Sequence, residues 1–497
     1  MNYRMVLYVL GRIFLVEAGL LLIPLGCALL YGEDTLLAFL IPTAILALLG
    51  CAFGLRRPKN TTIYARDGLV VAALAWVLLS AFGALPFYIS REIPAYTDAF
   101  FEMVSGFTTT GSTILTDVEA MSHGMLFWRS FSHWVGGMGV LVFLMAVMPL
   151  TDGRAMHLMR AEVPGPSVGK LSSKLQDNAK ILYRIYLVMT VAEVVLLCLG
   201  GMPLFDSLIH SFGSAGTGGF SSRALSVGAY NSPYAEWVIG IFMLLFGINF
   251  NLYYFLLLRH FKEALFSEEL LAYLGIVAVG TVAITGNILH LCDGLGQAVR
   301  LAFFQVSSII TTTGYATTDF NLWPSFSRTI LVLLMFVGAC AGSTAGGLKV
   351  SRVVILFKSA AQEVRRVLHP HAVTTVRFEG KPLDKRLVGS VGAYLTVYLV
   401  IFTGSVLLLS FDGFDLITTF TAVATCFNNV GPGLEIVGPM GSFADFSPWC
   451  KWLLSFDMLA GRLELFPMLA LFSPRTWRPH RAPARLSLIH ISEPTRP

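Results

Sequence analysis

Four short stretches carry the residue types and spacing that could do chemistry. They read Thr108-Thr109-Thr110-Gly111-Ser112-Thr113, Gly216-Thr217-Gly218-Gly219-Phe220-Ser221, Thr311-Thr312-Thr313-Gly314-Tyr315 and Asn428-Asn429-Val430-Gly431-Pro432-Gly433. What they offer is oxygen: backbone carbonyls, hydroxyls and amides gathered around a glycine. Aligned on Gly111, Gly218, Gly314 and Gly431, neighbouring copies lie about a hundred residues apart, an internal repeat that frames the whole chain.

Oxygen ligands without charge suit a monovalent cation. Each stretch ends an apolar, helix-like segment (residues 95–113, 204–221, 297–316 and 412–433) too short or too polar to span a bilayer, the mark of a re-entrant segment. Unpaired carbonyls cost several kcal/mol each in hydrocarbon, so extended backbone at that depth needs another partner. Four such turns around one axis can aim their carbonyls at a dehydrated ion in place of its water. Glycine suits the centre because it accepts backbone angles that a β-carbon forbids. Asp98, Asp206 and Asp415 lie near the starts of the first, second and fourth segments, where an acid complements the positive helix end and leaves the negative end for the ion. The third copy departs, with Gln297 and Arg300 there.

Two further features lie on the same path. Residues 338–347 read GACAGSTAGG in the middle of an apolar run, with Gly338, Gly342, Ser343, Gly346 and Gly347 in ten positions. Each glycine costs a helix about 1 kcal/mol relative to alanine. The run either packs closely through small faces or breaks the helix into a loop that obstructs the pore. Arg462 stands inside the last apolar run, where a central Arg costs at least about 2.5–3.5 kcal/mol. It pairs with Asp457, snorkels, or serves the pore.

The elements that must hold these residues are membrane spans. A helical span needs about 20 largely apolar residues. Runs near 8–30, 35–55, 68–90, 125–150, 182–203, 235–258, 270–292, 328–348, 387–409 and 449–472 qualify. Lys and Arg concentrate after the second, fourth, sixth and eighth runs, for example Arg56, Arg57, Lys170, Lys174, Arg259, Lys349, Arg365 and Arg366. Acids such as Glu33, Glu92, Asp117, Asp319 and Glu435 fall on the other side. The positive-inside rule then places both termini in the cytoplasm and brings the four re-entrant segments in from outside. The predicted fold is an all-α polytopic membrane protein: two leading helices (1–60), then four helix–pore loop–helix repeats (61–150, 151–262, 263–360 and 361–480) in pseudo-fourfold array around one ion pore. Residues 481–497 form an irregular tail, read as a contaminant or scar; its last residues, Leu486–Pro497 (LSLIHISEPTRP), break from everything before them, resemble a translated adapter sequence and are set aside.

Composition agrees. The 497 residues are 55% hydrophobic and 13% charged, about half the charge of an ordinary soluble domain, and mean hydropathy is +0.70. The seven cysteines form no CxxC pair and read as small packing residues. His123, His133, His210 and His290 read as interfacial or packing residues, and His369 and His371 sit in a basic loop without ligand spacing. That loop and residues 151–180 are a plausible docking surface for a regulatory partner, or simply solvated positive-inside loops.

TTTGST, GTGGFS, TTTGY and NNVGPG together resemble the Trk/Ktr/HKT superfamily of potassium transporters, most closely its bacterial Trk membrane subunits. The resemblance covers nearly the whole chain to about residue 480. It implies potassium ion uptake across the bacterial inner membrane, one pore per protomer, a homodimer in the lipid bilayer, and a cytoplasmic nucleotide-binding regulatory subunit of the TrkA type. No nucleic-acid partner is implied. On the family's pattern the ion-lining carbonyls come from Thr109, Thr110, Gly216, Thr217, Thr312, Thr313, Asn429 and Val430, beside Gly111, Gly218, Gly314 and Gly431. The family also places a flexible loop at 338–347 and sets the residue matching Arg462 against it, below the filter.

Two rivals remain. An alternating-access, cation-coupled symporter would pair inverted repeats and place broken helices at the midplane; four repeats of one orientation favour a pore. A membrane enzyme would need converging nucleophiles, acids or metal ligands, and no HExxH, GxSxG or paired intramembrane acids occur.

Overall fold

The computed structural model describes residues 1–60, 64–139, 175–371 and 375–477. Residues 151–174 of the predicted docking loop, the end of the fourth predicted span and the tail 481–497 lie outside them.

The two leading helices, Tyr3–Tyr31 and Leu36–Gly54, pack backbone to backbone. The second carries Gly50-Cys51-Ala52-Phe53-Gly54, and a β-carbon on Gly11 of the first would fall 2.5 Å from the Gly54 nitrogen. Small residues four apart allow this approach where apolar burial gives no drive between helices in lipid. Both helices turn Leu and Ile outward, Leu30 being 88% exposed, as a lipid-facing surface requires.

Four repeats follow. Helices Ala65–Gly83, Leu175–Leu199, Glu268–Ile288 and Lys385–Leu409 lead into short re-entrant helices Tyr96–Phe107, Leu204–Gly216, Leu295–Ile310 and Leu416–Asn428. Each short helix is buried along most of its length. Its apolar face meets the helices that flank it, and its C-terminus ends in one of the four glycine stretches. After each stretch the chain returns through His123–Gly137, Pro233–Phe246, Ser325–Val337 or Pro448–Arg462.

Among the described residues, six helices are long and apolar enough to cross a membrane, or seven when one bent pair is joined. The predicted runs 235–258, 328–348 and 449–472 are therefore not single helices. The first bends by 88° between Pro233–Phe246 and Phe250–Leu257. The second stops at Val337 and resumes as Val350–Leu368, and the third stops at Arg462 and resumes as Phe466–Phe472. Glycine explains the break at 338. Asn249, whose side chain caps the Asn251 nitrogen at 3.0 Å, restarts the helix at 250, and left-handed Glu464 and Leu465 (φ 59° and 64°) interrupt the last one. A hairpin, Arg377–Phe378 paired antiparallel with Lys381–Pro382, adds the two short strands described, which the sequence reading did not foresee.

Candidate ion-conducting site

All four re-entrant helices end in the same way. The nitrogens of Thr110, Gly218, Thr313 and Val430 donate to the carbonyls of Ser105, Gly213, Ser308 and Thr425 at 2.8–2.9 Å, each bond reaching back five residues. The residue before each donor is left-handed: Thr109, Thr217, Thr312 and Asn429, with φ between 55° and 57°. This is the Schellman closure, which ordinarily takes glycine at its left-handed position. Three of the four hold threonine, whose branched β-carbon makes that conformation an outlier. A strained residue repeated at equivalent positions signals a conformation imposed by the surroundings.

The next residue but one is a glycine at positive φ: Gly111 (85°), Gly219 (76°), Gly314 (86°) and Gly431 (101°). The conformational repeat therefore runs through Gly219. The alignment on Gly218 is one residue early, and Gly216 corresponds to Thr108, Thr311 and Asn428 at the helix ends. Spacing could not choose between two adjacent glycines; backbone angle does.

The glycines also show how the loops meet. A β-carbon on Gly111 would lie 2.1 Å from the carbonyl oxygen of Gly218, and one on Gly219 would lie 2.0 Å from that of Thr313. On Gly314 it would lie 2.3 Å from the Val430 oxygen, and on Gly431 2.8 Å from the Thr110 oxygen. Loop one touches two, two touches three, three touches four, and four touches one. The ring is closed.

Its carbonyls are unsatisfied. No described N–H or O–H donor reaches the carbonyl oxygens of Thr109, Thr110, Thr217, Gly218, Thr312, Thr313, Asn429 or Val430, although all eight residues are buried. Buried backbone oxygens are nearly always paired, so eight together in one ring form a ready-made set of ligands. On one side the ring opens into a vestibule that reaches all four glycines and is flanked by Arg129 and Arg223.

Side chains brace the ring from behind. Glu102 is fully buried and accepts from Thr113 Oγ1 (2.9 Å), the Ile114 nitrogen (2.9 Å) and Arg129 Nε (2.6 Å). Arg129 also donates to the Ser221 carbonyl at 3.2 Å, tying the exits of loops one and two. Tyr315 donates to the carbonyls of His210 and Phe220 at 3.0 and 3.1 Å, tying loop three to two. His133 Nδ1 lies 2.7 Å from the Gly106 carbonyl, and its ring packs on Phe220. Of these residues, the sequence reading named His133 and His210 as interfacial or packing histidines and Thr113, Phe220, Ser221 and Tyr315 as parts of the glycine stretches. It missed Glu102 and Arg129, for which a charged pair inside apolar runs was the signal. At the ends of the re-entrant helices away from the ring, Asp98 and Asp206 lie in the first turns of their helices and Asp415 caps the Ile417 and Thr418 nitrogens, while the third helix has no acid in its first turn.

Beneath the ring, residues 338–349 form a non-helical loop closed at its base by the Val350 nitrogen donating to the Ala339 carbonyl at 3.0 Å. Gly338, Gly342 and Gly347 hold φ of 72–74°, and Ser343 Oγ donates to the Cys340 carbonyl at 2.6 Å. The loop presses on the ring: the Gly346 nitrogen donates to Thr312 Oγ1 at 2.7 Å, and a β-carbon there would meet the Asn428 oxygen at 2.5 Å. Arg462 donates to the carbonyls of Thr344 (2.6 Å), Gly136 (2.7 Å) and Gly137 (3.0 Å). Its guanidinium therefore bonds the loop of the third repeat and the helix end of the first, rather than Asp457, which accepts from Ser405 at 2.8 Å. The Cys340 nitrogen donates to the Gly247 carbonyl and the Phe250 nitrogen to the Gly342 carbonyl, both at 3.1 Å. The bend at 247–249 is thus joined to the same knot.

The family model described as "Cation transport protein", that of TrkH, matches residues 37–478. The chain belongs to the TrkH family. It is 37% identical over 487 residues to the Trk system potassium uptake protein TrkH of Salmonella typhimurium, covering 96% of this chain and all of that one. It is 34% identical to the Trk system potassium uptake protein TrkG of Escherichia coli, with 96% and 99% covered. The crystal structure of the potassium transporter TrkH from Vibrio parahaemolyticus superposes with a TM-score of 0.87 at 33% identity, covering 96% of this chain and all of that one. This TrkH-family chain is a multi-pass membrane protein, and its relatives are transport proteins rather than enzymes.

Proposed function

We propose that this chain takes up potassium across the bacterial inner membrane, through a selectivity filter made by the ring. The closed cycle of glycine-to-carbonyl contacts carries the reading, because it brings eight unsatisfied carbonyls to one axis. In the corrected register they come from Thr109, Thr110, Thr217, Gly218, Thr312, Thr313, Asn429 and Val430, with Gly111, Gly219, Gly314 and Gly431 giving the room for close approach. The ion is the cargo, and the carbonyl oxygens stand in for its hydration shell. Fewer layers than a longer filter signature would supply imply modest discrimination against sodium.

The loop 338–349 and Arg462 form the gate. A fixed guanidinium below the ring repels a cation while it holds the loop carbonyls, so the closed arrangement is both a steric and an electrostatic barrier. The chain works as a homodimer with a pore in each protomer, under a cytoplasmic nucleotide-binding subunit of the TrkA type, with both termini cytoplasmic. The names of its relatives and the positive-inside pattern support this assembly. A ring locked by four-way backbone contact leaves no two halves to rock, which disfavours alternating access.

Rubidium uptake into proteoliposomes, competed by potassium, sodium and lithium, tests the function. Potassium should compete best, and a Gly111→Ser variant should lose that preference. Equal competition by all three ions in the wild type would refute the filter.

A further inference from the structure

Glu269 lies in the first turn of helix Glu268–Ile288, where an acid would pass for an ordinary favourable charge at a helix start. Its side chain does something else. One carboxylate oxygen accepts from the Ala341 nitrogen at 2.7 Å and from the Ser351 nitrogen at 3.1 Å. Those amides stand on opposite limbs of the intramembrane loop, and Glu269 is 6% exposed. Ser351 belongs to the first turn of helix Val350–Leu368, whose N-cap, Lys349, makes no side-chain cap bond. The missing cap comes from a neighbouring helix. No Lys or Arg among the described residues is within ion-pair distance of Glu269, though the buried Lys349 acts on it through space, and its bonds go to these two amides; bonds from amides to a carboxylate are about twice as strong as neutral ones.

The same turn is gripped from the other side. Ser267 Oγ donates to Glu379 Oε1 at 2.7 Å, and the Glu269 nitrogen donates to the same oxygen at 3.2 Å. The Glu379 nitrogen donates to Glu268 Oε2 at 3.1 Å. Glu379, left-handed at φ 50°, is in the turn of the hairpin formed by Arg377–Phe378 and Lys381–Pro382. The hairpin turn and the intramembrane loop thus hold two sides of one helical turn.

We propose that Glu269 is a positioning residue of the gate: it staples the two limbs of the loop 338–349 in the obstructing conformation, and the hairpin at 377–382 reaches the loop through it. The proposal rests on the gate reading above and adds the residue and the route by which a force on the hairpin would move the loop. Pulling the hairpin shifts the first turn of the helix, shifts the carboxylate, and frees the Ala341 limb while Ser351 stays in its helix.

The test pairs flux with a reporter native to the loop. Cys340 is fully buried, as are Cys426 and Cys450 elsewhere. In purified, reconstituted full-length protein, Glu269→Ala should raise rubidium flux roughly tenfold, the loss expected for one charge-assisted bond. It should also expose Cys340 to maleimide, read peptide by peptide, while Cys426 and Cys450 stay protected. Glu269→Gln, which keeps a carbonyl acceptor, should fall between the two, and Glu379→Ala should act in the same direction more weakly. Wild-type flux with Cys340 still protected in Glu269→Ala overturns the staple. If Glu269→Ala exposes all three cysteines, the protein has loosened throughout and Glu269→Gln decides: selective Cys340 labelling supports the proposal and wild-type labelling overturns it. Arg462→Ala in parallel separates the layers, since raised flux there with no effect at Glu269 leaves the gate standing and removes only the staple.

Discussion

In the ring, four different sequences adopt one backbone conformation; along the helices that leave it, the breaks each adopt their own. The ring repeats a left-handed residue, a five-residue hydrogen bond and a positive-φ glycine in every copy. The breaks are a sharp bend at 247–249, a closed loop at 338–349 and a left-handed pair at 464–465. Their ties are particular to each: backbone bonds join the bend to the loop, and the Arg462 side chain joins the loop to the helix end of the first repeat. The proposed function accounts for the difference. A site that replaces a symmetric hydration shell needs equivalent ligands from every side, so backbone geometry repeats even where Thr becomes Asn. In the proposed gate, a barrier that must open is held by polar ties that differ from place to place, so they do not repeat around the axis.

The largest expected effect breaks the repeat itself. Gly219→Ala puts a methyl 2.0 Å from the Thr313 carbonyl at a φ of 76°, where neither the backbone nor the neighbour can give. Overpacking and left-handed strain together cost about 3 kcal/mol or more, and potassium-selective flux should vanish. Gly218→Ala keeps an ordinary φ and meets the His133 ring instead, at 2.3 Å. It should be milder, and His133→Ala should restore much of its loss. Equal damage from the two alanine variants, with no rescue, would return the register to Gly218.

The next effect has the opposite sign. Arg462→Ala removes three bonds to the carbonyls of Thr344, Gly136 and Gly137 and, in the proposed gate, the charge that repels the ion. Bonds from charged donors contribute roughly 1.5–3 kcal/mol each, so flux in proteoliposomes should rise at least about tenfold while ion preference stays as it was. A variant that lost preference without gaining flux would assign Arg462 to the ring.

How much of this was legible in sequence follows the same division. The repeat was visible because every copy needs a glycine just after its left-handed turn and three of the four put threonine in that turn, and GACAGSTAGG pointed to a break or to close packing because no helix favours so many small residues. Arg462 stood out because charge is rare in apolar runs. The breaks at 247–249 and 463–465 were hidden because Leu, Phe and Ile surround them and hydropathy continues through. Glu269 was hidden for a different reason: its position is ordinary, and only its reach across to Ala341 and Ser351 is not. The choice between Gly218 and Gly219 needed angles that spacing does not contain.

A smaller effect tests whether the ring depends on ties between copies. Tyr315→Phe leaves the loop-three backbone intact and removes only the hydroxyl that donates to the His210 and Phe220 carbonyls. The one hydroxyl proton shared between those oxygens is lost, at a cost of about 1 kcal/mol. The melting temperature in detergent should fall, and potassium should compete less sharply against sodium. Unaltered competition would show that each copy holds its own shape without its neighbour.

The smallest expected effect lies at the outer rim, where a re-entrant helix begins. Asp415 caps its helix through the Ile417 and Thr418 nitrogens at 3.0 and 3.1 Å, and bonds from Thr418, then from Ile417, hold its carboxyl below the usual carboxylate range. A group lowered on folding adds stability that is complete above its unfolded pKa, about 3.9 for Asp, and that fades as pH falls through the lower folded value. Asp415→Ala should therefore lose about 1 kcal/mol at neutral pH, while Asp415→Asn, which keeps an acceptor, should lose little. Because the residue is solvent-exposed, screening keeps its charge contribution small. The gap in melting temperature between wild type and Asp415→Ala should hold from neutral pH to about pH 5 and narrow in stronger acid. A gap indifferent to acid would mean that the cap works through shape alone, and that the helix's charge toward the ring owes nothing to this carboxylate.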